Sequence, residues 1–391
     1  MDERLIPEIK IRWDKCRIEA AARGFDALMV VGQGTERAGN LKFLANHTPA
    51  LPGHPRRFTF RGRGCSFMLL PVTGKPVIGV TTPFYEYDIA VEDVRFANNL
   101  IALFGEMVRE KGMEYADIGL VGMDVLPVAL YWDLIKELPG VKFYPADDIV
   151  MNIRSRKSGY EIEQLRIGAK LADITVKGLK DILKPGIRES EVGQYIRDTL
   201  TENGATRSFA TCQSGKRSRE PYPNDRMPCS DKILEDGDMV HMEINGFYNE
   251  YQIDVCRSTV VGHMKKEQEF ILNLCCEMLE KSIKATRPGI RAEELELITG
   301  ELALKHNLGQ NHTATYGGPG TYLGHAIGLG VDEPPCLAKG DKTILVPGMV
   351  LTLEPGIYRT EWGGCRIEDE VLVTETGCEV LNHYGRRLWN D

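Results

Sequence analysis

Two strings of this sequence carry carboxylates at spacings that suit a hairpin. In the first, Glu243 is followed by a turn at Gly246–Asn249, flanked by strand-forming residues, and then by Asp254. In the second, Glu354 precedes a turn near Glu361–Gly364 and then Glu368. As hairpins, a register centred near Tyr248 and Asn249 sets Glu243 opposite Asp254, and one centred on Glu361 sets Glu354 opposite Glu368. Strand alternation then turns both pairs to one face of a sheet. Four carboxylates gathered on one face repel each other and shift their pKa values, and a multivalent cation is the usual resolution. Alternate acids on exposed strands are often merely solvated, but Val240, Met242, Leu351, Leu353, Val371 and Val373 are too apolar for a wet sheet. Between the hairpins lies Thr321-Tyr-Leu-Gly-His325-Ala-Ile-Gly-Leu-Gly-Val-Asp332-Glu-Pro-Pro335. A histidine in such a Gly-rich apolar run is ordinarily a core residue. Between two carboxylate pairs, His325 becomes a candidate ligand.

The elements that must position these residues recur along the chain. Leu183-Lys-Pro-Gly-Ile-Arg-Glu-Ser-Glu-Val192 is matched, 103 residues later, by Thr286-Arg-Pro-Gly-Ile-Arg-Ala-Glu-Glu-Leu295. Ile233-Leu-Glu-Asp-Gly-Asp-Met-Val-His-Met-Glu243 is matched, 111 residues later, by Ile344-Leu-Val-Pro-Gly-Met-Val-Leu-Thr-Leu-Glu354. Each Pro-Gly string follows a long amphipathic helix and precedes a shorter one. The first long helix opens on a capping box, Ser158 with Glu161. It carries an apolar stripe at Leu165, Ala169, Ala172, Val176, Leu179 and Leu183, and the following helix spans 189–202. Two matches in the same order imply that the chain from about residue 158 is two related αα-plus-β halves, with a site built from both.

Upstream, a helix over about 8–23 leads to an apolar strand at Ala27–Val31. Further strands are read at Cys65–Leu70, Pro76–Val80 and Ile118–Val121, and helices near 97–111 and 128–138, giving a small α/β layer domain. At 391 residues the chain is long enough for two or three domains, and the division falls near residue 155. The net charge of −8 argues against nucleic acid. The densest basic cluster, His54-Pro55-Arg56-Arg57 with Arg61 and Arg63, is short and reads as a solvated loop. No apolar stretch suits a membrane span or a secretory signal. Ten cysteines without regular spacing read as reduced thiols of a cytoplasmic protein, and the sequons at Asn46 and Asn311 as chance matches. No HExxH, GxSxG or Walker A string occurs, nor a GxGxxG following a strand. Gly317-Gly-Pro-Gly320 reads as a loop shaping the mouth of the site.

The segments Asn249–Ser258, Gly324–Pro334, Leu353-Glu-Pro-Gly-Ile-Tyr358 and Gly364-Cys-Arg-Ile-Glu-Asp369 resemble the creatinase/aminopeptidase P/methionine aminopeptidase superfamily. The resemblance extends over the whole chain to the two-domain Xaa-Pro aminopeptidase, prolidase and creatinase branch. It implies an α+β fold, a duplicated pita-bread catalytic domain over residues 155–391 preceded by a smaller creatinase-like α/β domain over residues 1–154. It also implies two divalent metal ions (Mn, Co, Zn or Fe) held by Glu243, Asp254, His325, Glu354 and Glu368. A metal-activated water is then the nucleophile, with Glu354 both ligand and proton shuttle and Arg366 hydrogen-bonding beside the metals. Glu243 departs from the family, which has Asp there. Asp332 stands where the peptidases place a substrate-contacting His, and the other family histidine would fall near Asp225 or Arg226 in a stretch without any His.

The resemblance thus implies a hydrolase of an amide or related C–N bond, similar to Xaa-Pro aminopeptidase or prolidase, acting on a short peptide or small molecule as a homodimer. Loss of two imidazoles, which would stabilise a tetrahedral intermediate, favours a rival: a creatinase-like hydrolase or DMSP-type lyase acting on a small polar metabolite, with or without metal. Against the lyase stands Glu243-Ile-Asn245, where that branch uses Asp-x-Asp. In the rival, Arg56, Arg57, Arg61 or Arg63 could hold a substrate carboxylate across a dimer. A third class, a non-catalytic binding module, predicts lost ligands, and all five ligand positions are retained.

Overall fold

The computed structural model describes residues 2–33, 39–49, 61–81, 88–219, 229–312, 322–330 and 332–389. It divides into two compact units, Met1–Arg154 with Leu329–Val331, and Ser155–Gly328 with Asp332–Asp391.

In the first unit, helix α1 (Leu5–Ala22) leads into strand β1 (Ala27–Gln33), followed by α2 (Gly39–Ala45), β2 (Cys65–Pro71), β3 (Val77–Val80), β4 (Asp93–Phe96), α3 (Leu100–Glu110), β5 (Asp117–Val121), α4 (Val128–Glu137), β6 (Lys142–Pro145) and α5 (Asp147–Ser155). The strands form one sheet in the order β4-β3-β2-β1-β5-β6. β1 lies antiparallel to β2 and parallel to β5, and its fully buried apolar run is what a covered strand requires. β4 and β6 escaped the sequence reading because they lie at the sheet edges and carry half-exposed, mixed residues.

The second unit opens on α6 (Gly159–Ile182), α7 (Glu189–Glu202) and β7 (Arg207–Ser214), a short 3₁₀ turn (Gly215–Arg219), then β8 (Met239–Tyr248) and β9 (Tyr251–Val260). It continues through α8 (Lys266–Ala285), α9 (Ala292–Lys305), β10 (Tyr322–Ala326), β11 (Glu333–Ala338), β12 (Val350–Leu353), β13 (Gly356–Thr360), β14 (Gly363–Arg366), β15 (Asp369–Val373) and β16 (Cys378–Val380). The capping box forms: Ser158 N donates to Glu161 Oε2 at 3.1 Å, and Glu161 N to Ser158 Oγ at 3.3 Å. Leu165, Ala169, Ala172, Val176 and Leu179 on α6 are wholly buried, and Ala172, Val176 and Leu179 join a core shared with α7 and the sheet β7-β8-β9. Helices α8 and α9 pack in the same way on the core that includes β12 and β15.

The sequence repeat is also a repeat of backbone hydrogen bonds. Arg188 bridges Ile233 and, in the later copy, Arg291 bridges Ile344. Gly186 N donates to Leu234 O and Gly289 N to Leu345 O, both at 2.9 Å. The glycines of all four strings have positive φ, 98° and 87° at Gly186 and Gly289, and 85° and 90° at Gly237 and Gly348, a conformation only glycine adopts freely. Each Pro-Gly loop therefore clips a helix pair to the segment that leads into the strand bringing a site glutamate, Glu243 within β8 and Glu354 directly after β12.

Candidate active site

Both carboxylate pairs lie on the duplicated unit, and their placement differs from the sequence reading in one respect. Strand β8 pairs with β9 through a two-residue turn at Asn249 and Glu250, with φ of 48° and 69°, the left-handed pair that a tight hairpin turn demands. This turn sits one position later along the chain than the expected centre. Glu243 consequently faces Cys256, and Asp254 faces Asn245; the expected opposition of Glu243 and Asp254 is incorrect. They remain on one face as diagonal neighbours, within reach of one another.

The second pair follows the expected register, with a break. β12 pairs with β15 at Leu353↔Asp369, and β13 with β14 at Gly356↔Arg366, so Glu354 and Glu368 face each other across the gap between these ladders. Glu354 N donates to Leu323 O at 2.9 Å, and Glu368 N to Cys256 O at 3.0 Å. The ladder opens where the two glutamates stand, and their amides are satisfied by β10 and β9 instead. Further along the register shifts at Arg359, whose φ is 58°, as in a bulged hairpin.

His325 is presented by β10, whose pairing with β11 slips on both sides of it. Such bulges re-aim a side chain. Its Nδ1 lies 3.1 Å from Ala326 O, which turns Nε2 toward the acids: 3.5 Å from Asp254 Oδ2, 3.6 Å from Glu354 Oε1 and 3.0 Å from Asp332 Oδ1. Gly324 is required beside it, because a Cβ there would lie 2.3 Å from Thr352 O. Asp332 adopts a φ of 57°, and its side chain is 58% exposed while that of His325 is 7% exposed. Arg366 joins the two pairs: its Nη2 binds Glu243 Oε1, its Nη1 lies 2.7 Å from Glu354 Oε2 and its Nε 3.9 Å from Glu368 Oε2.

Electrostatics follow from this crowding. Burial, partly offset by Arg366 and reinforced by Asp254, pushes Glu243 up to about 7. Burial and the charge of Glu354, against the pull of His325, raise Asp254 to about 6. Glu368, buried among the other acids, is held well above the carboxylate range. Burial would lower His325, but its hydrogen bond to Asp332 and the charges of Asp254 and Glu354 prevail, giving about 9. Protein groups alone thus leave the acids under-compensated. Glu243 Oε2 and both oxygens of Glu368 are buried without a hydrogen-bond partner, and Glu243, Asp254 and Glu368 bring ligand atoms within 4.8 Å of one another. Orphaned carboxylate oxygens next to an imidazole nitrogen form a donor set suited to divalent Mn, Fe, Co or Zn.

Three further residues were not singled out from sequence. His241 Nε2 lies 3.3 Å from Glu243 Oε1 and 3.3 Å from Cys256 Sγ. Thr352 Oγ1 lies 3.4 Å from Glu354 Oε1 and accepts the His325 amide at 3.1 Å. Buried Arg257 donates to Glu368 O and, at 2.8 Å, to Asp369 Oδ1. The signal for the first two was present: each stands two residues before a site glutamate, on the same strand face.

Arg61 forms an ion pair with Asp133. His54, Arg56, Arg57, Asp225, Arg226 and the Gly317–Gly320 run lie outside the described residues. All ten cysteines are free thiols, and among the described residues no helix is long and apolar enough to cross a membrane.

Comparison with known proteins agrees with this geometry. The model of metallopeptidase family M24 matches residues 163–375. The Xaa-Pro dipeptidase of Pyrococcus furiosus is 35% identical over 256 residues, covering 65% of this chain and 70% of that protein. The Xaa-Pro dipeptidase of Pyrococcus horikoshii is 32% identical over 312 residues, 78% of this chain and 84% of that one. The crystal structure of the prolidase from Pyrococcus horikoshii OT3 superposes with a TM-score of 0.81 at 26% identity, covering 96% of this chain and 99% of the other. A duplicated scaffold that gathers four buried carboxylates and an imidazole, and shares its sequence with these enzymes over most of its length, belongs to metallopeptidase family M24 and is a metal-dependent hydrolase.

Proposed function

We propose that the chain hydrolyses the Xaa-Pro bond of short peptides, with two divalent cations held by Glu243, Asp254, His325, Glu354 and Glu368. The observation that carries this reading is the convergence of these five donors with orphaned buried oxygens on Glu243 and Glu368. Divalent cations bound there supply a Lewis acid for the scissile carbonyl and acidify water at neutral pH. The residues do the rest. The hydrogen bond from His325 Nδ1 to Ala326 O fixes the ring and directs Nε2 into the site. Arg366 holds Glu354 by Oε2, leaving Oε1 to accept a proton from the attacking water and return it to the departing nitrogen. The apolar strands behind the acids exclude bulk water.

The relatives named Xaa-Pro dipeptidase support the peptide substrate. Asp332 supports a second reading. Its carboxylate borders the site beside His325, adding negative charge that suits a small cationic metabolite better than a neutral dipeptide. A homodimer and the two-domain division at residue 154 belong to the same proposal.

The test is metal analysis of the purified protein, followed by hydrolysis assays with Xaa-Pro dipeptides against guanidino and betaine-like compounds, the metal being varied. Two equivalents of Mn, Co, Zn or Fe with dipeptide turnover are expected. Glu354→Ala should lower kcat/KM by about 10³-fold, and full activity in that variant would sink the mechanism.

A further inference from the structure

We infer that His241 is a positioning residue, which fixes one oxygen of Glu243 so that the other is presented to the metal. The inference rests on the metallohydrolase reading above and concerns how this chain accommodates its longer first ligand.

Glu243 Oε1 is engaged twice, by Arg366 Nη2 and by His241 Nε2 at 3.3 Å, while Oε2 is buried without a partner. The placement of the imidazole proton follows from its surroundings. Nδ1 faces no hydrogen-bond partner, so a proton there would be a buried, unsatisfied donor and would leave the Nε2 lone pair against a carboxylate oxygen. With the proton on Nε2, the N–H faces Glu243 Oε1 and Cys256 Sγ, each 3.3 Å away, and only a lone pair goes unused, the cheaper arrangement. Cys256 Sγ, whose thiol can donate to Arg366 O at 3.5 Å, also stands 3.3 Å from Nε2, but a thiol sulfur is a much weaker acceptor than a carboxylate oxygen.

The later half repeats the device. Thr352 corresponds to His241 in the 111-residue repeat, and its hydroxyl lies 3.4 Å from Glu354 Oε1. In each half a polar side chain two residues upstream, on the same strand face, touches Oε1 of the site glutamate. Glutamate has one more rotatable bond than aspartate and loses more rotamer freedom on being held. The imidazole, wholly buried and unable to swing away, removes that freedom in advance. Hydrogen-bonding partners of metal-ligating side chains are typically worth 10–100-fold in metal affinity.

Metal-free protein, prepared with a chelator, is titrated with Mn²⁺ by calorimetry as wild type, His241→Phe and His241→Gln. His241→Phe keeps a planar ring and removes the donor; at least one Mn²⁺ equivalent should bind 10-fold or more weaker, with far-UV circular dichroism unchanged. His241→Gln restores an N–H donor and should recover most of that loss. A purely packing role would lower stability in both variants and leave Mn²⁺ affinity alone. Equal affinity in wild type and His241→Phe would overturn the inference while leaving the metallohydrolase reading intact; a wild type that binds no Mn²⁺ would remove that reading itself. Titration with Co²⁺ adds an independent check: a thiolate-to-cobalt charge-transfer band lost in Cys256→Ser would overturn the positioning role, by making His241, Glu243 and Cys256 ligands in their own right.

Discussion

The two hairpins that supply the carboxylates descend from one repeat and deliver their acids by opposite means. β8 and β9 form an unbroken ladder from Met239↔Val260 to Tyr248↔Tyr251, and their acids are set diagonally by a tight turn. In the later hairpin the acids stand face to face because the ladder is interrupted, with Glu354 and Glu368 giving their amides to β10 and β9. A continuous hairpin positions side chains by register alone. An interrupted one needs outside partners, and those partners, Leu323 and Cys256, tie the later hairpin to β10 and to the earlier half. The difference shows that a duplicated sequence can keep its loops and cores while ligand geometry diverges.

The largest test of this contrast removes the side chain that touches both pairs. Arg366→Met leaves Glu243 and Glu354 buried without their shared guanidinium, and should destabilise the metal-free protein by about 3–5 kcal/mol. Thermal denaturation with and without saturating Mn²⁺ checks it, and the cation should recover much of the loss. A shift below 1 kcal/mol would mean that the halves are not coupled through Arg366.

A second effect is expected from pH. Glu243 and Asp254, held up at about 7 and about 6, remain protonated in the folded chain where the unfolded chain has already released those protons. Their contribution is present at low pH and is lost as pH rises through those values. His325, raised to about 9, contributes stability that is complete below its ordinary value near 6.5 and lost as pH climbs through 9. All three have the same sign, so the melting temperature of chelator-treated protein should fall between pH 4 and 9. With saturating divalent cation the slope should reverse, because binding needs the deprotonated ligands.

Thr352→Val probes the later half alone. It strips a partner from the buried His325 amide and should cost about 1–2 kcal/mol. The earlier hairpin, whose acids do not depend on Thr352, should keep its amide-exchange protection.

Much of this was legible in the sequence because it rests on local rules. The helix expected over 189–202 forms over Glu189–Glu202, and the Ser158 capping box closes as a spacing of three dictates. The later carboxylate register was readable because Pro355 and the glycines at 363 and 364 fix where the turn lies. The earlier one was misplaced because Asn249 and Glu250, not Gly246, adopt the left-handed conformation, a choice set by pairing along ten residues of both strands. Arg257 was invisible for a related reason. Its partners, Glu368 O and Asp369, are defined only once two segments more than a hundred residues apart have met.

The amide of Asp254 is held by Glu370 Oε1 at 2.8 Å, and the amide of Glu368 by Cys256 O at 3.0 Å. Each half therefore supplies backbone scaffolding for an acid of the other. On the ribosome, the earlier half emerges with two of the five donors, Glu243 and Asp254, and without His325, Glu354 and Glu368. Only after the later half has docked on β9 do all five donors face one another, so cation uptake would follow completion of both halves.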